Sequence, residues 1–375
     1  MTDFHVVPGS VAGLGGLVTR AGDAAGVFAT ALHDNATSSK GDGVYQLIEE
    51  PLARLRSVAQ HNTELARDLG KTSGEELRKT AEFYGKLDEA QAGKLDRTYN
   101  HETSDRHDEW NLPTAIATKS FEDIADPDGD GHYTRKDYAG LFDQALRRDQ
   151  WAVDFEKQLS DLTSFTSFAA TVGKVTKGLC GRNVIEEVAM LISGDWMQIY
   201  RESVVFTDTS KAFEIIRKNV DRGRFAIQDD WDGNAASYCE NWLDAYSRSC
   251  TAHAKFLDRA AREMERLAMA AYHRFSSLNI LISTLIDAVA EWIAMGGLLK
   301  KFRTLWKEAV DDGFSASDFK RLGAIAAVVT NIVAIIDLFW VFAHEYAALL
   351  AVLAGQSEVT AATWPTLAYD HPAVS

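Results

Sequence analysis

The chain has 375 residues, of which 46% are hydrophobic and 25% charged, and its formal net charge at pH 7 is −15. This composition is typical of a globular protein and excludes a disordered one. The acidic balance argues against a nucleic-acid-binding protein and against a polybasic membrane surface, because both need clustered lysine and arginine. At this length we expect two or three domains rather than one core.

Helices are expected to dominate the fold. Proline is scarce, at 6 residues, and no stretch shows the alternation of β-branched and polar residues that marks a half-buried strand. The cysteines Cys180, Cys239 and Cys250 do not make a disulfide framework, since Cys239 and Cys250 on one straight helix would lie about 16 Å apart. We expect them to be core or inert thiols. The N-terminal stretch MTDFHVVPGSVAGLGGLV lacks the basic and apolar regions of a Sec signal, so any export would use another route.

The first hundred residues contain two apolar stripes with helical spacing. One runs from Leu14 to Leu32 and the other from Leu52 to Tyr84, and the polar stretch 33–43 separates them. Residues 1–100 are therefore predicted to form an antiparallel helical hairpin. Its second helix is expected to kink at Gly70–Gly74 and to restart at a capping box made by Ser73 and Glu76.

The second stripe carries a family resemblance. GDGVYQL (41–47) opens it, and TAEFYGKLDEA (80–90) closes it with Tyr-x-x-x-Asp, formed by Tyr84 and Asp88. With these features, the segment resembles the secretion-associated (ESX, type VII) relatives of the WXG family, although the Trp-x-Gly turn is missing from this half. In that family the motif is the export signal that the secretion ATPase reads on a paired substrate, so the resemblance implies that Tyr84 and Asp88 are signal residues. The alternative is an amphipathic helix with Tyr84 in the core and Asp88 solvated.

Residues 126–137 read DPDGDGHYTRKD, which is the spacing of an EF-hand calcium loop. Ca²⁺ takes six to eight oxygen ligands. The loop would supply them from carboxylates, one backbone carbonyl and one water-mediated position, at Asp126, Asp128, Asp130, His132, Thr134 and Asp137. Gly131 stands where the loop must turn sharply.

The helix after this loop supports the same interpretation, because apolar residues from Tyr138 to Ala145 repeat the spacing of an exiting EF-hand helix. Asp137 stands where glutamate is usual, and its shorter side chain predicts weaker or more Mg²⁺-like binding. Residues 112–150 are predicted to be an EF-hand-like segment that holds one Ca²⁺, or Mg²⁺ in its place, as a structural staple. The alternative is an acidic turn whose aspartates cap a helix.

A second pair of stripes flanks a Trp-x-Gly turn. The stripe from Trp196 to Ile227 ends at QDDWDGNAA (228–236), and a stripe close to a heptad repeat follows. Gly233 permits the tight turn, and the Trp231 indole can cover the end of the hairpin or a helix of a partner. Residues 185–275 thus resemble the hairpin of long WXG proteins, in which a hydrophobic module follows.

Two strongly apolar stretches come next, 278–299 and 322–343, each near the roughly 20 residues of a membrane span. Asp287, Glu291 and Asp337 would each cost about 2.5–3.5 kcal/mol at the centre of a bilayer. Residues 276–355 are expected to form a helical pair, either packed in a soluble bundle or inserted conditionally in a membrane. Residues 356–375 are expected to be a flexible tail.

Nothing in the sequence nominates an enzyme. His344-Glu345 lacks the second histidine of a zinc helix, and His101 and His107 have no cysteines or matched third ligand beside them. The sequence contains no Gly-rich phosphate loop, nucleophile elbow or kinase set.

The predicted function is therefore that of a mainly α, calcium-binding, non-catalytic type VII (ESX) secretion-associated protein. It would pair with a small helical WXG-type protein or with itself, be read by the secretion ATPase, and be secreted or displayed at the cell surface. The alternative is a membrane-active or membrane-anchored delivery protein that inserts residues 276–355.

Overall fold

The structure is a computed structural model that describes residues 4–35, 43–87, 94, 121, 123, 138–164, 166–294, 316–361 and 363–371. Most of these residues are helical, which confirms the mainly α prediction. Nine helices are described, namely α1 (Pro8–Asp34), α2 (Val44–Tyr84), α3 (Tyr138–Arg148), α4 (Gln150–Ser164), α5 (Thr166–Cys180), α6 (Val184–Ile192), α7 (Trp196–Ile227), α8 (Asn234–Ala294) and α9 (Ala316–Ala361). Two short strands, β1 (His5–Val6) and β2 (Trp231–Asp232), pair antiparallel.

Helices α1 and α2 run antiparallel and approach each other closely at glycines. Gly15 on α1 lies beside Gly74 on α2, and Gly22 lies beside Gly70. A Cβ atom added to Gly22 would be 2.7 Å from the backbone nitrogen of Lys71, closer than side-chain atoms pack. Only glycine allows the two backbones to come this close.

The predicted restart of α2 is wrong, because the helix continues without a break from Val44 to Tyr84. Gly70 and Gly74 allow the close approach to α1. The predicted capping box is also wrong, since Ser73 lies inside the helix and its Oγ accepts a hydrogen bond of 2.8 Å from the backbone nitrogen of Tyr369. Sequence spacing alone could not reveal that distant partner.

The long helices form one bundle. Helix α1 packs mainly against α2 and also against α7, α7 packs mainly against α8, and α9 lies against both α2 and α8. The buried apolar side chains of all these helices belong to one contiguous cluster rather than to two or three separate cores. Helix α8 runs through the expected boundary at 275–276 without interruption.

Helix α9 runs antiparallel to the second half of α8. Phe275 and Phe339 have ring centroids 4.9 Å apart, and the Arg274 guanidinium lies 3.9 Å from the centroid of the Phe342 ring. At the edge of the bundle, Arg182 binds Asp337 on α9 at 2.9 Å. The expected apolar pair is thus the end of a longer helix together with α9.

The cysteines occupy different surroundings. Cys239 and Cys250 are buried in α8, and burial raises the pKa of both thiols, as expected for inert core thiols. Cys180, at the end of α5, is exposed instead of buried. All three thiols are free.

Candidate recognition site at one end of the bundle

The Trp-x-Gly turn lies between α7 and α8, and it is fastened to the start of α1. Gly233 has φ +128°, a left-handed value that strongly favours glycine, and its backbone nitrogen donates to Asp232 Oδ1 at 2.9 Å. Through the β1–β2 pairing, Val6 lies opposite Trp231. The Ser10 hydroxyl donates to Asp230 Oδ2 at 2.6 Å. The turn therefore has a fixed position at this end of the bundle.

Tyr84 is the last residue of α2, and its side chain contacts this turn. Its ring centroid lies 6.2 Å from that of Trp231 with the planes at 72°, an edge-to-face contact. Phe4 packs on the Tyr84 ring at 5.8 Å. We call Tyr84 and Trp231 the recognition pair, because the sequence singles out both residues and the fold brings them into contact.

A histidine that the sequence did not single out completes the cluster. His371 Nε2 lies 3.0 Å from the Tyr84 hydroxyl, at hydrogen-bonding distance, and the two rings meet edge to face at 5.4 Å. His371 is fully buried, and Tyr84 and Trp231 are each only 3% exposed. No sequence signal pointed to this histidine, because it lies in the stretch expected to be a flexible tail.

Residues 363–371, here called the covering segment, lie against the bundle instead of extending away from it. Trp364, Tyr369 and His371 are buried, and Leu367 between them is exposed. The segment crosses the surface between α2 and α8 and ends at Tyr84.

Beside Trp231, a narrow cleft opens between the end of α7 and the start of α8. Its polar rim includes Arg224, Gln228 and Glu240, and the Gln228 amide donates to Glu240 Oε1 at 3.0 Å. Trp231 lines the cleft as well, and its buried Nε1 has no hydrogen-bond partner among the described residues. Buried indole N–H groups usually find a partner, so this donor is available to a water or to a ligand group.

Two further buried polar groups lie deeper in the bundle. Glu202 on α7 accepts a hydrogen bond of 2.7 Å from Arg56 Nε on α2, and burial raises the pKa of its carboxyl group. His253 on α8 is fully buried with its Nε2 2.9 Å from Thr63 Oγ1, and burial lowers its pKa to about 3. Both are contacts between helices rather than parts of the recognition pair.

The other predicted site residues lie outside the described residues. Asp88, the second signal residue, is one of them, and so are all six calcium ligands, Asp126, Asp128, Asp130, His132, Thr134 and Asp137. Among the described residues, no group of three or more His, Cys, Asp or Glu side chains is arranged to hold a metal ion. The calcium loop therefore stays a prediction.

Within the described ranges, one helix is long and apolar enough to cross a membrane. It covers Gly323–Gln356 in α9, with a mean hydropathy of 2.3 in its most apolar stretch, and 33% of that stretch is buried. Residues 278–294 of the other apolar stretch that the sequence suggested as a span belong to the end of α8.

Comparison of the chain with protein-family models, with curated proteins and with solved structures finds no match in any of the three.

Proposed function

We propose that this chain is a calcium-binding, non-catalytic type VII (ESX) secretion-associated protein that is exported through Tyr84 and Asp88. The observation that carries the proposal is the contact between Tyr84 and Trp231. Each belongs to a short motif that is weak evidence alone, and the two motifs come from distant parts of the chain. Both rings are buried at one end of the bundle, so a secretion ATPase would read the two motifs at one place once the segments that cover them move aside.

The chemistry of the pair suits recognition by another protein. Tyrosine and tryptophan supply large rigid contact areas and are enriched among the residues that dominate binding energy at interfaces. Asp88, four residues after Tyr84 in the sequence, would add a carboxylate to the same motif. Once exposed, this aromatic pair together with Asp88 would be a specific target that needs no catalytic residue.

The packing of the long helices supports the WXG-like part of the proposal. Helix α1 packs mainly against α2, helix α7 packs mainly against α8, and α1 also packs against α7. In this arrangement the two helix pairs contact each other mainly through α1 and α7, and α9 lies against both pairs. A small helical WXG-type protein or a second copy would then bind the faces that this internal pairing leaves open.

Secretion from an actinobacterial host that carries a type VII system tests the proposal. Asp88→Asn and Tyr84→Ala are each expected to lower the extracellular amount at least tenfold while the intracellular amount is maintained. Glu82→Gln is the matched control, since it removes an exposed carboxylate from the same helix outside the motif. The proposal would be contradicted if both signal variants were exported as much as the wild-type chain. Export of the wild-type chain from a host without the ATPase would also contradict it.

A membrane-active or membrane-anchored delivery protein is the second candidate, and the outer face of α9 favours it. Leu338, Val341 and Val352 are 61%, 55% and 56% exposed. Their spacing of 3 and 11 residues places them on one face of the helix. Large exposed apolar side chains on one face are typical of contact with lipid or with another protein.

Flotation with phosphatidylglycerol–phosphatidylethanolamine vesicles tests the second candidate. If α9 inserts, the wild-type chain floats with the vesicles and a Leu338→Glu, Val341→Glu variant does not. Leu367→Glu is the control, because Leu367 is 75% exposed outside α9. A wild-type chain that stays at the bottom of the gradient would eliminate this candidate.

A further inference from the structure

The covering segment follows a groove whose two walls are α2 and α8. Along α8 it runs antiparallel: Thr363 O accepts a 2.7 Å hydrogen bond from Ser249, and Leu367 O accepts one of 3.0 Å from Trp242 Nε1. On the α2 side, the Tyr369 backbone nitrogen donates to Ser73 Oγ. The groove thus contacts the main chain of the segment at three separate points.

Buried side chains anchor the segment between these points. Trp364 packs against Tyr246 with ring centroids 5.5 Å apart, and the fully buried Tyr369 lies 5.8 Å from the Tyr238 ring. Between the anchors the segment exposes Thr366 and Leu367. Buried anchor side chains that alternate with exposed residues are the pattern by which grooves bind peptides.

The segment is held less regularly than the helices beneath it. Residues 363–371 contain neither helix nor strand, and their hydrogen bonds to the groove use side chains of the bundle. The Trp364 Nε1 is buried without a hydrogen-bond partner within the described part of the chain. Leaving the groove would return that donor to water, which offsets part of the cost of exposing the Trp364 ring.

The position of the segment matters for recognition. His371 contacts the Tyr84 hydroxyl, so the signal tyrosine is enclosed while the segment is seated. Another protein cannot touch a side chain that is 3% exposed. Access to Tyr84 from this side requires that residues 363–371 move.

We propose that the groove between α2 and α8 is a docking site for an extended, aromatic-containing peptide, filled in the isolated chain by residues 363–371. A partner that recognises Tyr84 occupies the groove by displacing this segment. This inference rests on the proposed function for the identity of the partner, but the groove and its competition can be measured without it.

The first measurement is amide hydrogen exchange on the wild-type chain. The segment is expected to open without the bundle, so its amides should exchange roughly a hundredfold faster than those of the α7–α8 core. Exchange of 363–371 only together with the core would show that the segment is an integral part of the fold, and would overturn the proposal.

The second measurement is fluorescence anisotropy with a labelled peptide of the sequence TWPTLAYDHP. The full-length Tyr369→Ala variant, whose own segment has lost its buried ring, should bind the peptide at least tenfold more tightly than the wild-type chain. Leu367→Ala, at an exposed position of the same segment, should bind like the wild type. If the peptide bound all three chains equally, or bound none of them, it would not be competing with residues 363–371 for the groove, and the proposal would be wrong.

A secretion assay distinguishes failure of the docking groove from failure of the proposed function. Tyr369→Ala should raise the exported fraction at least threefold, and Leu367→Ala should leave it unchanged. If Asp88→Asn blocks export but Tyr369→Ala does not raise it, the groove proposal fails and the proposed function stands. If Asp88→Asn has no effect while the peptide still competes, the proposed function fails and the docking groove stands.

Discussion

His253 is held neutral in the core between α2 and α8, because burial disfavours its charged form and lowers its pKa. Thr63 Oγ1 lies 2.9 Å from both Ala59 O and His253 Nε2, so this hydroxyl connects the two helices. His253 Nδ1 is buried without a partner among the described residues. Protonation of that nitrogen would place an unpaired charge in the core.

Acid should therefore destabilise the protein through His253. Its folded pKa of about 3 lies below the usual value of 6.5, so the unfolded chain binds the proton first and stability is lost as pH falls from 6.5 towards 3. Between pH 7.5 and pH 5 this group removes about 2 kcal/mol from the free energy of unfolding. Urea titrations of wild type and His253→Leu check this, since the variant should lose less stability over the interval.

His344→Gln serves as the control for that experiment, because His344 is an exposed histidine on α9. Between the same two pH values, the free energy of unfolding of His344→Gln should change as much as that of the wild type. If His253→Leu and the wild type lose the same stability between the two pH values, the buried histidine is not the group that titrates.

Arg56 and Glu202 form a buried ion pair, with side chains 12% and 3% exposed. Arg56→Met would leave the Glu202 carboxylate buried without its cation, and we expect a loss of about 3–5 kcal/mol at pH 7. Burial raises the pKa of Glu202 already, and losing Arg56 raises it further. Below the folded pKa of Glu202 the buried carboxyl group is protonated and neutral. The stability that Arg56→Met removes should therefore become smaller as pH falls below that pKa.

The double variant Arg56→Met, Glu202→Met completes a double-mutant cycle, measured by denaturant titration. With both charges gone, most of the stability should return, because no unpaired group stays in the core. A double variant as unstable as the sum of the single variants would show that the two residues act independently.

At the scale of the elements, the close crossing of α1 and α2 depends on glycine. Gly22→Ala is expected to lower the free energy of unfolding by about 1–3 kcal/mol, since its Cβ would meet backbone atoms of α2 that cannot move aside. Gly323→Ala in α9, where nothing lies within 4 Å of the added atom, should instead raise it by about 0.5–1 kcal/mol. Thermal denaturation of both variants checks the contrast, and a stabilising Gly22→Ala would contradict the close approach.

These elements also show what the sequence could and could not predict. Apolar spacing identified the helical stretches at α1, α2 and α7, because a helix that buries one face repeats every three to four residues. Apolar spacing did not reveal that Gly70 and Gly74 allow the close approach of α1, since a glycine that permits contact between helices looks identical in sequence to one that breaks a helix. Ser73 was misassigned for the same reason: its partner, Tyr369, is remote in sequence.

At the scale of the whole molecule, the candidate site combines residues that sequence reasoning found with residues that it missed. Tyr84 and Trp231 were both predicted from motifs, but their contact depends on the packing of α2 beside the α7–α8 turn. His371 and Phe4 carry no local signal, and only the tertiary fold places them on Tyr84. Local patterns predict elements, whereas contacts between distant segments require the assembled bundle.

The calcium loop offers a prediction for the whole chain. Ca²⁺ that binds only the folded state should raise the melting temperature, and at a hundred times the dissociation constant the gain is about 2.7 kcal/mol. Calorimetric titration should give one site in the wild type and none in an Asp126→Ala, Asp130→Ala variant. A loop that gives no heat and no change in melting would be an acidic turn.

Phe4 and His371 meet on Tyr84 from opposite ends of the described chain, which has a consequence for biosynthesis. His371 emerges from the ribosome 287 residues after Tyr84. At about 5–20 residues per second, roughly 15–60 s pass between the translation of Tyr84 and that of His371. During this interval Tyr84 lacks its contact with His371, so the time at which a binding protein arrives decides whether it meets Tyr84 with or without this cover.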